Sequence, residues 1–599
     1  MLDHLQGSSL CLFLDGLDEC RMVGRTNEYT EEQLDLIYDG DNEDEAWGQS
    51  DWITDGHKEI ADFVHSLRIR GNVKVCLSSR DLNVFEREFR NFPRIVVHEH
   101  TAKSIARYCT GHLMDRTPDL MDLPEFASAI TEKSCGVFLW VRLVIGMLVD
   151  GYTNGDSREE LLETLDHLPQ RLGGKDGLYS LMMRNIKRKY LPESKRLFQL
   201  VLNWKSVGVT QPDIITLFLA VQGHLEQDNG EELRATSDKY EPRTWDELQP
   251  KCKELQRRLK SRCGGLLEGT WPVQFMHQTV KQFLSRKYIW DEMFSNVVGF
   301  AAESDVHMAS ISGCVRRLKC CADAVTTLEN VSIDLGANAH QQRSTEHEHK
   351  VDLPYLDSEI LHHALACART MCCTTDIIAG RLRRSLIELL DELNNVWSQH
   401  TSGSDSVWFD MLHEYLLNTR KSRPLAFLQL AITYSLVPYV ETKVKHRGLS
   451  KHQLSHLLLR AVKYPMSQWR TTISTAFHEN APKFVEMLFQ EGADPNHLDT
   501  TTSEARWTIW VSHLEELASY PLKCSVIEFW VTSTKLFLKY GADTTVRWYR
   551  PNSSENKESP IEWFTPEKII RDRLNSEYDK DLDEIMELLS QANEKQHKE

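Results

Sequence analysis

Carboxylates cluster directly after an apolar run near the start of the sequence. Leu10–Leu14 is continuously apolar, and Asp15, Asp18 and Glu19 follow it closely. Such a run is typical of a strand in a parallel sheet that is covered on both faces. Ligands of these sheets bind at the carboxyl ends of the strands, where one acid can hold the hydrated magnesium of a nucleotide and another can orient the attacking water. A core strand followed by an acidic turn is the alternative interpretation.

A second apolar run ends in an arginine. Residues 58–67 predict an amphipathic helix, because their apolar side chains recur at helical spacing. The predicted buried face is Ile60, Phe63, Val64 and Leu67. Val73–Leu77 then predicts a second buried strand with Arg80 just beyond its tip. Since arginine binds a terminal phosphate with two parallel hydrogen bonds, the two tips together indicate a phosphate-binding edge. A surface ion pair is the alternative role for Arg80.

These elements resemble the NACHT module of the STAND class of signalling NTPases, in its fungal form. The segment LCLFLDGLDE resembles the Walker B strand of that family, and VKVCLSSR resembles its sensor-1 strand. Residues 94–100 then correspond to the strand that follows. The stretch EKSCGVFLWVRLVIGMLVDGY is similar to the helices that trail the fungal NACHT core. The resemblance covers about residues 8–290 and implies an NLR-like protein built on a P-loop NTPase sheet.

The resemblance also implies roles for individual residues. Asp15 corresponds to the magnesium-binding Walker B acid, and Asp18 and Glu19 correspond to the catalytic acids. Arg80 and His277 correspond to residues that sense the nucleotide phosphates, His277 through a resemblance to the Met-His-Asp element of related switch proteins. In this sequence Gln replaces the acid of that element, which weakens the predicted switch. Considered without the family, His277 is a histidine at a strand-to-helix junction, where a structural role is common.

The sequence contains no P-loop. The motif GxxxxGK[ST] holds phosphates with backbone amides and its lysine, whereas the only Gly-Lys pair, Gly174-Lys175, is followed by Asp176. Because the family places its P-loop upstream of Walker B, we expect a chain truncated before Walker B, with vestigial acids and no useful NTPase activity. ATP or ADP and Mg²⁺ would be cofactors only if a P-loop preceded Met1. The enzyme alternative is an ATPase whose P-loop was lost to a truncated gene model.

Residues 193–290 have the pattern of a winged helix, with three helices, two short strands and a closing helix. The basic residues of its third helix are Lys251, Lys253, Arg257, Arg258, Lys260 and Arg262. The corresponding helix of DNA-binding winged helices lies in the major groove, so a DNA-binding protein is a further alternative. The net charge of −18 disfavours a nucleic-acid partner, and the winged helices of STAND proteins usually act as clasps.

The C-terminal half predicts a helical scaffold. Residues 471–499 resemble an ankyrin repeat, with two short helices back to back and a turn that begins at Gly492. A second copy ends at Gly541, and the spacing of the two glycines exceeds the ankyrin period of about 33 residues, so we predict degenerate repeats. Because repeats are stabilised by their neighbours, we expect them to pack on the preceding helices. Residues 581–589 predict a short terminal helix.

The predicted fold class is an α/β remnant of a P-loop NTPase sheet followed by a mostly α-helical chain. The predicted domains are a partial NACHT core (1–115), a helical domain (116–192), a winged helix (193–290), a helical region of unknown function (297–470), ankyrin-like repeats (471–550), and a linker with a C-terminal helix (551–599). The predicted function is signalling or scaffolding through protein partners, and homo-oligomerisation is left open.

The composition indicates a cytoplasmic protein without a membrane segment. The longest apolar run, residues 137–149, is too short for a bilayer and contains Arg142, so it predicts a buried helix. The 14 cysteines include no CxxC pair, which fits a reducing compartment. His363 and Cys367 lie four residues apart and could ligate a metal from one helix face. Buried core side chains are the preferred interpretation, because no second ligand pair has matching spacing.

Overall fold

The computed structural model is mostly α-helical, which confirms that part of the predicted fold class. The structure describes residues 10–17, 51–68, 73–79, 83–117, 123–206, 212–227, 245–269, 272–328, 353–373, 381–400, 425–463, 471–498, 507–519, 524–549, 563–574 and 579–596. The strands in these residues are β1 (Leu10–Leu14), β2 (Val73–Leu77), β3 (Leu267–Glu268), β4 (Gln274–Phe275), β5 (Trp548–Tyr549) and β6 (Trp563–Phe564).

The helices are numbered in chain order. Those before residue 300 are α1 (Asp51–Arg68), α2 (Asn83–Phe89), α3 (Ala102–Arg116), α4 (Leu123–Lys133), α5 (Phe138–Asn154), α6 (Arg158–His167), α7 (Leu178–Arg184), α8 (Leu191–Ser206), α9 (Ile214–Gln227), α10 (Trp245–Arg262), α11 (Gln278–Leu284) and α12 (Lys287–Phe294). Those after it are α13 (Glu303–Leu328), α14 (Leu353–Cys373), α15 (Arg381–His400), α16 (Ala426–Thr433), α17 (Val437–Arg447), α18 (Lys451–Val462), α19 (Thr471–Gln490), α20 (Ile509–Ser519), α21 (Cys524–Lys539), α22 (Pro566–Arg573) and α23 (Asp579–Gln596).

The chain divides into two compact units that do not follow sequence order. The first unit comprises Met1–Phe198, Leu259–Glu268 and Phe275–Val298, and the second comprises Gln199–Arg258, Gly269–Gln274 and Gly299–Glu599. Both units take residues from the segment 193–290. The division therefore lies inside the segment predicted as a winged helix.

The first unit begins with a parallel pair of strands. β1 and β2 pair in register from Leu10 opposite Val73 to Leu14 opposite Leu77. α1 separates them in sequence and packs on β2, so the predicted strand–helix–strand order is confirmed. Half-buried and exposed residues alternate along both strands, and Phe13 is 77% exposed. The prediction that these strands are covered on both faces is wrong for the described residues, because the face that carries Phe13 is open.

α1 is an amphipathic helix, but its buried face differs from the predicted one. The buried residues are His57, Ala61, Val64 and Leu67. Phe63, predicted to be buried, is 54% exposed. The His57 ring lies 5.1 Å from the ring of Phe85 in α2. Packing against α2, and not the apolar character of Phe63, therefore sets the orientation of the helix.

Residues 94–100 do not form the predicted strand. Val97–His100 is a short 3₁₀ helix, and Ile95 is 75% exposed. The Thr101 hydroxyl donates to the His98 carbonyl at 2.9 Å and lies 3.0 Å from the Gly136 carbonyl oxygen, which fixes the end of the turn. An apolar extended segment needs a neighbouring strand, and the described residues offer none at this place.

α5 is a core helix of the first unit, as its apolar run predicted. Its buried residues are Trp140, Val141, Leu143, Val144, Ile145 and Leu148. The Trp140 Nε1 donates to the Pro169 carbonyl at 2.7 Å, so the polar atom of this buried ring is satisfied. Among the described helices, none combines the length and the apolar composition that a membrane crossing requires.

The second unit contains a two-layer stack of helices. In one layer α16, α18, α20 and α22 pack in succession, and in the other α17, α19, α21 and α23 do the same. A preceding group packs α9 and α14 on α13, with α15 against α13 and α17. One hydrophobic core joins these helices, from Trp204 to Leu589. The apolar residues that recur at helical spacing in this half of the chain therefore form the faces along which these helices pack on one another.

Two similar turns connect successive helix pairs of the stack. Each begins at a glycine with positive φ, +102° at Gly492 and +87° at Gly541. Asn496 joins the two turns, because its Nδ2 donates to the Gly541 carbonyl at 2.8 Å and its Oδ1 accepts from the Asp543 amide at 2.8 Å. The Asn496 side chain, in addition to apolar packing, therefore fixes the spacing of neighbouring helix pairs.

The helices of this region differ in extent from the predicted ones. Thr471–Gln490 is one helix with Pro482 inside it, whereas two short helices were predicted. Packing of α19 on α18 and α21 outweighs the backbone hydrogen bond that a proline removes. The helix paired with α19 is α18, so the repeated unit begins before residue 471. The terminal helix is also longer than predicted, and its Gln596 donates to the Ala542 carbonyl at 3.0 Å.

Candidate functional site

The predicted nucleotide edge lies at the tips of β1 and β2. The Ser78 amide donates to the Leu14 carbonyl at 2.9 Å, and the Leu17 amide donates to the Ser78 carbonyl at 3.0 Å. The Ser78 hydroxyl donates to Oδ1 of Asp15 and accepts from the Gly16 amide at 3.3 Å. Gly16 has φ +69°, a conformation that favours glycine and turns the chain directly after the acid. Asp15 is thus an exposed carboxylate whose position is set by Ser78.

The other residues of this predicted edge, Asp18, Glu19 and Arg80, lie outside the described residues. The structure therefore describes the predicted metal-binding acid without its predicted neighbours. Mg²⁺ is usually held by one or two carboxylates together with phosphates of the substrate. The Asp15 carboxylate can supply one such ligand, and the Ser78 hydroxyl orients it.

His277 is the N-cap residue of α11. Its Nδ1 accepts from the Thr279 amide at 3.2 Å and lies 2.9 Å from the Thr279 hydroxyl. The Tyr179 hydroxyl lies 2.7 Å from the same Thr279 oxygen. Burial raises the pKa of Tyr179, and the hydrogen bond to Thr279 partly offsets this effect, so the phenol is neutral at physiological pH. These contacts give His277 a capping role.

The structure does not bring Asp15 and His277 together. Within the described residues, no hydrogen bond or ion pair joins the two side chains: Asp15 bonds to Ser78, directly after β2, and His277 bonds to Thr279 in α11. The role of His277 in phosphate sensing stays a prediction.

The basic helix α10 is partly neutralised by acids. The ion pairs are Arg258–Glu254 (3.6 Å), Lys260–Asp150 (2.9 Å) and Arg262–Glu193 (3.0 Å). Arg262 also lies over the ring of Tyr190, with its guanidinium carbon 3.4 Å from the ring centroid. Lys251, Lys253 and Arg257 are exposed. Since a DNA-binding helix uses its basic side chains on phosphates, the acids bound at the C-terminal end of α10 reduce the charge that DNA would meet.

His363 and Cys367 lie side by side in α14, and both are fully buried. Nε2 of His363 lies 3.3 Å from the Cys367 sulfur, and the imidazole stacks on Trp204 with ring centroids 3.5 Å apart. Burial raises the pKa of Cys367 to about 12, so the sulfur is a thiol in this structure. The predicted burial of both side chains is confirmed.

Three histidines of the second unit form a cluster that the sequence analysis did not predict. One ring nitrogen from each of His452, His456 and His497 lies within 4.8 Å of the other two. It is the only group of three or more potential metal ligands within the described residues. His452 and His456 have the same four-residue spacing as His363 and Cys367, so the statement that no second ligand pair has matching spacing was wrong. Two of the three histidines could have been found from the sequence. The turn after α19 adds His497, which only the packing of the stack could reveal.

A comparison with protein families matches residues 185–328 to a domain of unknown function (DUF7791). The matched segment extends from α8 to the end of α13 and takes residues from both units. It covers well under half of the chain, and its description carries no activity. No curated protein and no solved structure matches the chain.

Proposed function

We propose that this chain is a cytosolic signalling or scaffold protein, derived from a fungal NACHT NTPase, that acts through protein contacts and does not hydrolyse nucleotide. The parallel order β1–α1–β2, with Asp15 directly after the first strand, is compatible with a Walker B strand beside a sensor-1 strand. The 599-residue sequence carries no GxxxxGK[ST] to hold the phosphates. An acid at such an edge has little to act on without that loop.

The observation that carries the proposal is the two-layer stack of helix pairs. Stacked repeats present an extended surface built from equivalent positions of successive units, which suits protein partners. In this proposal the turns at Gly492 and Gly541 are those of degenerate ankyrin-like repeats, and Asn496 keeps the pairs in register. Contact with partners therefore depends on the stack and not on the strand tips.

Nucleotide turnover separates the proposal from the ATPase alternative. The full chain is incubated with Mg²⁺ and ATP, and bound nucleotide and released phosphate are measured for the wild type and for Asp15→Asn. Asp62→Asn, which changes an exposed acid of α1, is the matched control. We expect no hydrolysis that depends on Asp15. Steady phosphate release that is lost in Asp15→Asn but kept in Asp62→Asn would contradict the proposal.

A second measurement tests whether contacts depend on the stack. Chemical cross-linking of the full chain in cells of its source gives a set of partner peptides for the wild type, Asp15→Asn and Asn496→Ala. We expect Asn496→Ala to change that set and Asp15→Asn to leave it unchanged. The reverse pattern would place the contacts at the strand tips.

The DNA-binding alternative has its own test. The exposed bases Lys251, Lys253 and Arg257 of α10 are the residues that favour it. A salt-dependent gel shift of duplex DNA by the full chain, abolished by Arg257→Glu, would favour that alternative over a scaffold. We expect no such shift, because the net charge of −18 repels a polyanion.

A further inference from the structure

Three imidazole rings meet at the surface of the helical stack. The ring centroid of His452 lies 4.6 Å from that of His456 and 4.8 Å from that of His497, and the remaining pair is 5.9 Å apart. His452 is exposed and the other two are half-buried, so the cluster is open to solvent on one side. Protonated imidazoles at this distance repel each other, and neutral ones share few hydrogen-bond donors. The cluster therefore favours an occupant that accepts electron pairs from several nitrogens.

The first two histidines are fixed by the start of α18. They are four residues apart in the first turns of the helix, which places them on one face. Ser450 caps this end, since its hydroxyl accepts from the Gln453 amide at 3.3 Å and the Gln453 side chain accepts from the Ser450 amide at 2.9 Å. A capped end holds its side chains more firmly than a frayed one.

The third histidine is fixed by the turn after α19. The His497 amide donates to the Asp494 carbonyl at 3.2 Å, and the His497 carbonyl accepts from the Ile509 amide at 2.9 Å. The Asp494 amide donates to the Ser455 hydroxyl at 2.9 Å, which ties the turn directly to α18. Backbone contacts on both sides thus bring His497 to the two helical histidines.

His497 also carries a buried ring nitrogen that lacks a partner. Among the described residues, Nε2 of His497 is buried and has no hydrogen-bond partner. The Asp494 carboxylate beside this turn is already ion-paired, since the Lys451 ammonium lies 3.2 Å from it. An imidazole nitrogen without a hydrogen-bond partner is an atom that a metal ion can bind.

We propose that His452, His456 and His497 bind one divalent transition-metal ion of the zinc class through three imidazole nitrogens, with water as the fourth ligand. Zinc bound to imidazole has Zn–N distances of about 2.0–2.1 Å, so a tetrahedral site separates its nitrogens by about 3.3 Å. The present separations are up to 4.8 Å, so binding requires the three imidazoles to move closer together. Three nitrogen ligands disfavour Mg²⁺ and Ca²⁺, which take oxygen ligands. The bound ion would join the turn after α19 to α18.

Zinc titration of the full chain tests the proposal. Metal-free protein is titrated with Zn²⁺ against a chromogenic chelator, for the wild type and for His452→Gln, His456→Gln and His497→Gln. His446→Gln, which removes an exposed histidine of α17, is the matched control. We expect each cluster variant to lose one zinc equivalent or to bind it about 100-fold or more weakly, because changes to groups that only hydrogen-bond to the ligands already cost about 10–100-fold. The control should retain the wild-type stoichiometry.

Two further measurements keep the test independent of folding. Circular dichroism in the presence of EDTA shows whether each variant is folded, and the exposed His452 gives a variant that leaves the core intact. Zn²⁺ should raise the midpoint of thermal unfolding of the wild type and of His446→Gln, but not of the cluster variants. Co²⁺ in the same site should give a visible absorption band that the cluster variants lack.

Equal zinc stoichiometry and affinity in the wild type and His452→Gln would overturn the proposal. So would a wild-type chain that binds Cu²⁺ but neither Zn²⁺ nor Co²⁺ at micromolar concentration, since the assignment to the zinc class would then be wrong.

Discussion

Acid should destabilise the helical stack through one buried histidine. His513 is fully buried in α20, where its Nε2 bonds to the Thr534 hydroxyl at 3.0 Å. Its ring lies 4.6 Å from the ring of Trp530 and 4.9 Å from that of Phe537. Among the described residues, Nδ1 has no hydrogen-bond partner. Burial lowers the pKa of His513 to about 3, from the value of 6.5 expected in an unfolded chain.

The sign of the effect follows from which state takes up the proton first. The folded pKa is depressed, so between pH 6.5 and about pH 3 the unfolded chain carries a proton on His513 that the folded chain does not. Stability from this group is complete above pH 6.5 and is lost as the pH falls through that window. With these values the loss is about 1.4 kcal/mol at pH 5.5 and about 0.1 kcal/mol at pH 7.5. The difference between the two conditions is about 1.3 kcal/mol.

Urea unfolding of the full chain measures this difference. Tryptophan fluorescence reports on the region, because Trp510 and Trp530 both lie against His513. His513→Leu removes the titrating group, and we expect it to reduce the change in unfolding free energy between pH 7.5 and pH 5.5 by about 1.3 kcal/mol. Its absolute stability falls as well, since Thr534 loses a partner, so the comparison rests on the pH dependence. His446→Gln is the control and should follow the wild-type curve. An unchanged pH dependence in His513→Leu would refute the reasoning.

Two further changes test the turns of the stack. Gly492→Ala should lower the free energy of unfolding by about 1–2 kcal/mol, because the φ of +102° is strained for any side chain although the space around it is open. Gly146→Ala, in the middle of α5 with equal space, should instead raise it by about 0.5–1 kcal/mol, and chemical denaturation of both variants reports the contrast. Asn496→Ala removes both hydrogen bonds to the next turn, so it should cost about 1–3 kcal/mol and increase hydrogen exchange at the amide of Asp543. Equal free energies of unfolding for Gly492→Ala and Gly146→Ala would contradict the first expectation. An Asp543 amide that is already unprotected from hydrogen exchange in the wild type would contradict the second.

Continuous apolar runs predicted the structure well. Leu10–Leu14 and Val73–Leu77 were predicted as strands from their sequence alone, and both have the predicted bounds. The buried helix over residues 137–149 was predicted in the same way. The position of such an element depends mainly on its own residues, whereas its burial also depends on what covers it, as the exposed Phe13 shows.

The buried face of a helix could not be predicted from its apolar residues alone. The predicted face of α1 included Phe63, whereas the buried face holds Ala61 and His57, and the His57 ring contacts that of Phe85. A partner so distant in sequence leaves no local signal. The same limit applies to residues 94–100, whose apolar side chains found no strand to pair with among the described residues.

Two pairs of potential ligands with the same spacing show why spacing alone does not identify a metal site. His363 and Cys367 share the four-residue spacing of His452 and His456, yet the first pair is fully buried and belongs to the core. In the second pair His452 is exposed and His456 is half-buried, and the third histidine of the proposed site comes from a turn outside the helix. The two pairs differ in exposure and in whether a third potential ligand lies beside them. Both differences arise from the packing of the chain and not from the local sequence.

The turn after α19 concentrates the contacts that hold the stack together. Its Asp494 amide bonds to Ser455 in α18, its Asn496 side chain bonds to the next turn, and its His497 carbonyl bonds to the Ile509 amide at the start of α20. In a stack of repeats, stability is the sum of terms within units and between neighbours. A ligand that holds this turn against α18 therefore acts on three neighbouring contacts at once. Metal binding at the histidine cluster and the register set by Asn496 are thus expected to be thermodynamically coupled, because both stabilise one conformation of the same six residues, 492–497.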